Sequence, residues 1–159
     1  MLFRSRSYSY LYPLPSHDIN AFWNDVELSV ESAQDMLAQG FTALKFDPAG
    51  PYTIRGGHQP ALRDLSRSVE FCRRIREAVG DRADILFGTH GQFTTAGAIR
   101  LARALEPFDP LWFEEPCPPD NFLEFAKVAA QCRIPIATGE RLTTKAEFSA
   151  LLRTGGVAI

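Results

Sequence analysis

The sequence predicts an α/β fold: an incomplete (β/α)8 barrel of the TIM type, with about five and a half βα units. Three observations carry this. Short apolar runs alternate with amphipathic helical stretches along the 159 residues, the rhythm of a parallel sheet with helices packed outside it. Polar residues stand at the ends of the runs: Lys45 and Asp47 at the second, His90 after the third, Glu114 and Glu115 at the fourth, Glu140 after the fifth. In a barrel the carboxyl ends of all strands converge on one mouth, where catalysis takes place. No GxGxxG or GxxxxGK[ST] follows any run, which weakens the case for a doubly wound nucleotide-binding sheet.

The elements follow in order. "RSYSYLY" (6–12) is a strand ended by Pro13 and Pro15. From Asp25 to Gln39, Val26, Val30, Ala33 and Leu37 recur at helical spacing, and Gly40 stops the helix. "FTALKF" (41–46) is a strand broken by "DPAGP", and a long polar loop leads to a helix from Pro60 to Val79. Its apolar stripe is Leu62, Leu65, Val69, Cys72, Ile75 and Val79, with Pro60 suited to the first turn and Gly80 to the end. "DILF" (84–87) is a strand and "GTHGQFT" a loop, and Thr95 caps a helix carrying Ile99, Ala102 and Leu105. "PLWF" (110–113), a helix from Asp120 to Cys132, and "IPIAT" (134–138) continue the pattern. Thr144 and Glu147 form a capping box for the next helix, and "VAI" (157–159) begins a sixth strand.

The bulk composition excludes several classes. A hydrophobic fraction of 45% with a net charge of −2 is that of a soluble globular domain. The near-neutral balance offers no electrostatic case for nucleic acid or an anionic membrane as partner. No apolar run reaches the roughly 18 to 20 residues of a membrane span, and the N-terminus has no continuous apolar core of a signal peptide. Cys72, Cys117 and Cys132, an odd count without CxxC spacing, read as reduced thiols in a cytoplasmic protein.

Glu114 and Glu140 end neighbouring strands, and two carboxylates brought together repel unless a cation or a proton intervenes. Oxygen ligands of this kind suit Mg²⁺; pairing with a rim arginine, such as Arg141, is the structural alternative. Strand alternation turns Glu115 to the opposite face, in a structural ion pair. Lys45, among apolar strand residues, serves as a base or neutralises a bound carboxylate, unless it pairs with Asp47. His90 has the chemistry of an acid or base near neutral pH. His17 and His58, in polar segments, read as surface residues.

Together "ALKF", "GTHGQFT", "PLWFEEP" and "IPIATGER", in this order, resemble the enolase superfamily. Within it the chain looks like the mandelate racemase and muconate lactonizing branch, and most like the acid-sugar dehydratases of the galactonate type. The likeness runs through nearly the whole chain, making residues 1–159 a partial C-terminal barrel domain from strand one to the start of strand six. It implies Mg²⁺ and removal of the proton alpha to a substrate carboxylate through an enediolate. Carried over by position, Glu114 and Glu140 are metal ligands, Lys45 is the first lysine of a Lys-x-Lys element, and His90 is the acid for the departing hydroxyl. Two positions depart from the pattern. The family's third ligand, an Asp, is here Gly88, and the second lysine is Asp47, which becomes a candidate third ligand. The N-terminal capping domain and the last strands of the barrel are expected in a longer parent, so the chain by itself is expected to turn over little substrate.

The leading reading is therefore a cytoplasmic hydro-lyase acting on a small sugar acid, as a homo-oligomer in the full-length parent. A cycloisomerase or racemase of the same superfamily, a Schiff-base aldolase using Lys45, and a truncated non-catalytic remnant are the alternatives.

Overall fold

The computed structural model describes residues 6–49 and 57–159; most of the long polar loop expected before Pro60 lies outside them. Five parallel strands form one sheet: β1 (Ser9–Tyr10), β2 (Ala43–Phe46), β3 (Asp84–Gly88), β4 (Trp112–Glu114) and β5 (Ile136–Ala137). Their order in space is their order in sequence. Right-handed crossovers that always step the same way keep every helix on one face of the sheet. A doubly wound sheet reverses direction at a switch point; this one does not, so the barrel architecture holds. Beyond β5, the amide of Ala158 donates to the Ile136 carbonyl at 2.9 Å, so the last residues begin a ladder where a sixth strand is expected.

Between the strands lie α1 (Ile19–Phe22) and α2 (Val26–Ala38), α3 (Leu62–Val79), α4 (Thr95–Leu105) with a 3₁₀ turn (Glu106–Phe108), and α5 (Phe122–Ala129); α6 (Lys145–Leu152) follows β5. The expected Thr144–Glu147 capping box is present. Besides α3 and α5, which begin two residues later than expected, two helix starts differ from expectation. Thr94, not Thr95, caps α4 by accepting from the Gly97 amide, which frees the Thr95 hydroxyl to donate to Glu124 of α5. The short α1 has no apolar stripe long enough to register as periodicity. It forms because the Asp18 carboxylate accepts from the amides of Asn20 and Ala21, both at 2.8 Å.

Strand alternation separates two environments. Leu44 and Phe46, Ile85 and Phe87, Phe113, and Ile136 face the helices and build the core with Ile75, Val79, Leu101, Leu105, Phe125 and Val128. Each such fully buried side chain contributes about 1.5 to 3 kcal/mol. The opposite face carries Tyr10, Lys45, Leu86, Gly88, Trp112 and Glu114, the inside of the curved sheet, where the chemistry collects.

Gly156, after α6, packs on α5. A Cβ there would sit 2.3 Å from the Ala126 Cα and 2.5 Å from its nitrogen. The obstacle is backbone, so it yields only if a helix moves. Gly156→Ala is expected to destabilise the fold by about 2 kcal/mol, seen as a lower urea midpoint at unchanged slope.

Candidate active site

The register of the central strands sets up the main contact. Lys45 is paired with Leu86 across β2 and β3, and Gly88 with Glu114 across β3 and β4. Lys45 and Glu114 therefore lie on strands separated by β3. At the level where they would be kept apart, β3 presents a glycine. The lysine reaches across it and places Nζ 2.5 Å from Glu114 Oε1. A Cβ on residue 88 would lie 2.9 Å from Lys45 Cε, so the ion pair occupies space that any other residue would fill. The side chains are only 7% and 18% exposed, and Trp112 Nε1–H donates to the second Glu114 oxygen at 3.1 Å. Nζ also lies 5.6 Å and 5.7 Å from the ring centres of Tyr8 and Tyr10, distances at which ring faces attract a cation. The apolar shell expected around Lys45 is thus a shell of acid and aromatic faces, and its partner is Glu114 rather than Asp47.

A second group forms around His90. Its Nε2 is 3.8 Å from Asp47 Oδ2 and its Nδ1 is 3.9 Å from Glu140 Oε1, so the imidazole stands between the acids that follow β2 and β5. Asp47 is buried, and its Oδ1 accepts from the Ala49 amide at 3.0 Å. Burial pushes its carboxyl up to about 8, against the weaker opposing pull of that amide, Lys45 and Arg67. At neutral pH it is mostly protonated.

Glu115 departs from the sequence reading. Its φ is 49°, a left-handed conformation that breaks the strand before Pro116, and no basic group pairs with it among the described residues. It is 1% exposed, accepting from the Thr138 hydroxyl at 2.6 Å and the Gly139 amide at 2.7 Å. One carboxylate thus ties the end of β4 to the turn that carries Glu140. The preceding loop is fastened to the same place: Gly91, φ 70°, donates its amide to the Glu115 carbonyl at 2.6 Å, and Arg141 donates to the His90 carbonyl. A side chain on Gly91 would meet that guanidinium. Arg141 therefore serves the His90 loop rather than Glu140. His17, expected at the surface, has a side chain only 3% exposed and meets Glu31 at 2.9 Å.

Tyr10 is a site residue that sequence reasoning missed. Burial, then the charges of Asp47, Tyr12, Glu114 and Glu140, hold its phenol far above its ordinary range. It is therefore a permanent hydrogen-bond donor at the mouth. An alternating "YSYLY" gives no hint of this; only the pairing of Tyr10 with Lys45 places it there.

Among the described residues, no three acidic, imidazole or thiol groups are placed to hold a metal ion. The oxygen donors on hand are Glu114 and Glu140, on adjacent strand ends, and Asp47 after β2; Gly88 supplies none. Magnesium takes one or two protein carboxylates and completes its shell with water and substrate oxygens. In number and type of donor the two glutamates suit such an ion, provided that Lys45 gives up its hold on Glu114.

Residues 29–159 match the family model described as enolase C-terminal domain-like. A mandelate racemase/muconate lactonizing enzyme-like protein from Roseovarius sp. TM1035 has a solved structure that superposes with a TM-score of 0.93 at 67% identity, over 96% of this chain and 39% of that one. The D-gluconate dehydratase of Thermoproteus tenax is 34% identical over 135 residues, 85% of this chain and 26% of that protein. The D-gluconate/D-galactonate dehydratase of Picrophilus torridus is 33% identical over 130 residues, 82% of this chain and 32% of that protein. The chain thus spans about a third or less of the length of these curated relatives, both sugar-acid dehydratases. With its parallel sheet in barrel order and its functional groups gathered at one end, the chain belongs to the enolase C-terminal domain-like family.

Proposed function

We propose that the chain is the barrel portion of a magnesium-dependent sugar-acid dehydratase, a hydro-lyase that removes the proton alpha to a carboxylate and expels a neighbouring hydroxyl. The observation that carries this is the gathering at one sheet end of an ammonium from β2, an imidazole after β3, and carboxylates after β4 and β5. The dehydratase relatives support the same class. Bound by Glu114 and Glu140, a magnesium ion supplies positive charge that makes the C–H bond beside a carboxylate more acidic. Lys45, released from Glu114, takes the proton as a neutral amine. His90, oriented between Asp47 and Glu140, gives a proton to the departing hydroxyl, which leaves as water. Tyr10, whose hydroxyl lies 4.0 Å from where a Cβ on Gly88 would be, donates a hydrogen bond to substrate oxygens beside Lys45. Asp47, 3.8 Å from the His90 imidazole, steadies that ring and is the candidate third ligand.

The test is turnover of D-gluconate and D-galactonate by the full-length protein, followed as appearance of a keto acid. Expected are dependence on magnesium, loss with EDTA, and a drop of about 10²-fold or more in Glu140→Gln, with weaker Mn²⁺ binding in direct titration. Turnover indifferent to EDTA, or absent with every sugar acid, would refute the reading.

A further inference from the structure

Packing alone does not account for Glu115. The residue is 1% exposed, and its second carboxylate oxygen, Oε2, is shut away without a hydrogen-bond partner. Burying a polar group is costly where its bonding capacity goes unmet, and native folds contain few such atoms. An apolar side chain of the same length would avoid that cost. The compensation lies in what the rest of the residue holds.

Glu115 fastens a different loop of the mouth at each end. Its Oε1 accepts from the Thr138 hydroxyl at 2.6 Å and the Gly139 amide at 2.7 Å, the short distances of bonds to a charged acceptor. Gly139 then opens a tight turn, its carbonyl accepting from the Leu142 amide at 3.0 Å, and Glu140 is the second residue of that turn. The backbone carbonyl of Glu115 faces the other way. It accepts from the Thr89 hydroxyl at 2.9 Å and the Gly91 amide at 2.6 Å, the residues on either side of His90. His90 has a φ of 55°, an uncommon left-handed conformation that these two bonds bracket. Arg141, in the Glu140 turn, closes the ring by donating to the His90 carbonyl.

We infer that Glu115 is a positioning residue for the mouth. Its side chain sets Glu140, its carbonyl sets His90, and it follows Glu114 directly, so one buried residue fixes the spacing of all three. The 3.9 Å separation of His90 Nδ1 from Glu140 Oε1 is a product of this arrangement. The role rests on the magnesium reading above, in which Glu114 and Glu140 hold the ion and His90 gives the proton. A Glu140 turn without its anchor no longer presents its carboxylate at a set distance from Glu114, and residues that orient metal ligands in this way are worth about 10- to 100-fold in affinity.

The experiment compares the native full-length protein with Glu115→Met and Glu115→Gln. Methionine has about the same length but no acceptor for Thr138 and Gly139, whereas glutamine keeps an oxygen for both. In metal-free protein, amide hydrogen exchange at Gly139 and Leu142 is expected to quicken about tenfold or more in the methionine variant. That factor should exceed the one at Phe125 and Val128 of α5, which report global stability. Direct titration should show Mn²⁺ binding weakened about tenfold or more by methionine, and glutamine should bring both readouts back near native. Should the methionine variant fold poorly, Thr138→Val removes one of the two donors and is expected to move both readouts the same way by a smaller factor. Exchange that quickens equally at all four amides, exchange or Mn²⁺ affinity that stays native in the methionine variant, or a glutamine variant that rescues neither would overturn the role. A native protein that binds no Mn²⁺ sinks the magnesium reading instead, and the exchange pattern still decides whether Glu115 sets Glu140.

Discussion

Lys45→Met is expected to lower sugar-acid turnover by about 10²- to 10⁴-fold, the range over which a positioned base contributes. It also breaks the Lys45–Glu114 pair, and removing one partner of a buried pair costs about 3 to 5 kcal/mol. Glu114 keeps the Trp112 N–H and its side chain is 18% exposed. The expected loss is therefore nearer about 2 kcal/mol. Lys45→Arg separates the two roles. A guanidinium still pairs with the carboxylate and restores much of the stability, but it is never a neutral base. Stability recovered without turnover places Lys45 in the chemistry. Turnover recovered with stability makes it a structural cation only.

Asp47→Asn is expected to flatten the pH dependence of stability. In the unfolded chain this carboxyl titrates near 3.8, whereas burial holds it at about 8 in the fold. Between those values the folded state keeps a proton that the unfolded state has released. Stability is thus full at low pH and is lost as pH rises, with a slope approaching about 1.4 kcal/mol per pH unit. Asparagine still accepts from the Ala49 amide and never has to charge. Urea unfolding of both chains from about pH 5 to 8 should give curves that diverge steadily, with the variant the more stable at the alkaline end. Parallel curves would mean that Asp47 is ionised in the fold.

The elements legible in the sequence were those with a periodic signature or a cap. The stripe's Cys72, Ile75 and Val79, the Thr144–Glu147 box and the alternation of runs each reflect local geometry, and the structure has them, although Leu62 at the head of the stripe is exposed. The strand-end positions of Lys45, His90, Glu114 and Glu140 were legible too, because a parallel barrel fixes which end of a strand is the mouth. What escaped depends on register and backbone twist. That Lys45 meets Glu114 and not Asp47 requires knowing that Gly88 lies between them. The burial of Glu115 follows from a positive φ that strand alternation does not anticipate. Neither Tyr10 nor His17 has a neighbour in sequence that announces its surroundings.

The bare position at Gly88 has a mechanical consequence. Lys45 Cε stands 2.9 Å from where a Cβ at 88 would be, so the sizes of these two residues constrain each other. A side chain at position 88 displaces the end of Lys45 rather than any backbone, and a displaced ammonium leaves Glu114 unneutralised. Filling this position is therefore expected to loosen the Lys45–Glu114 pair while leaving the strand ladder in place.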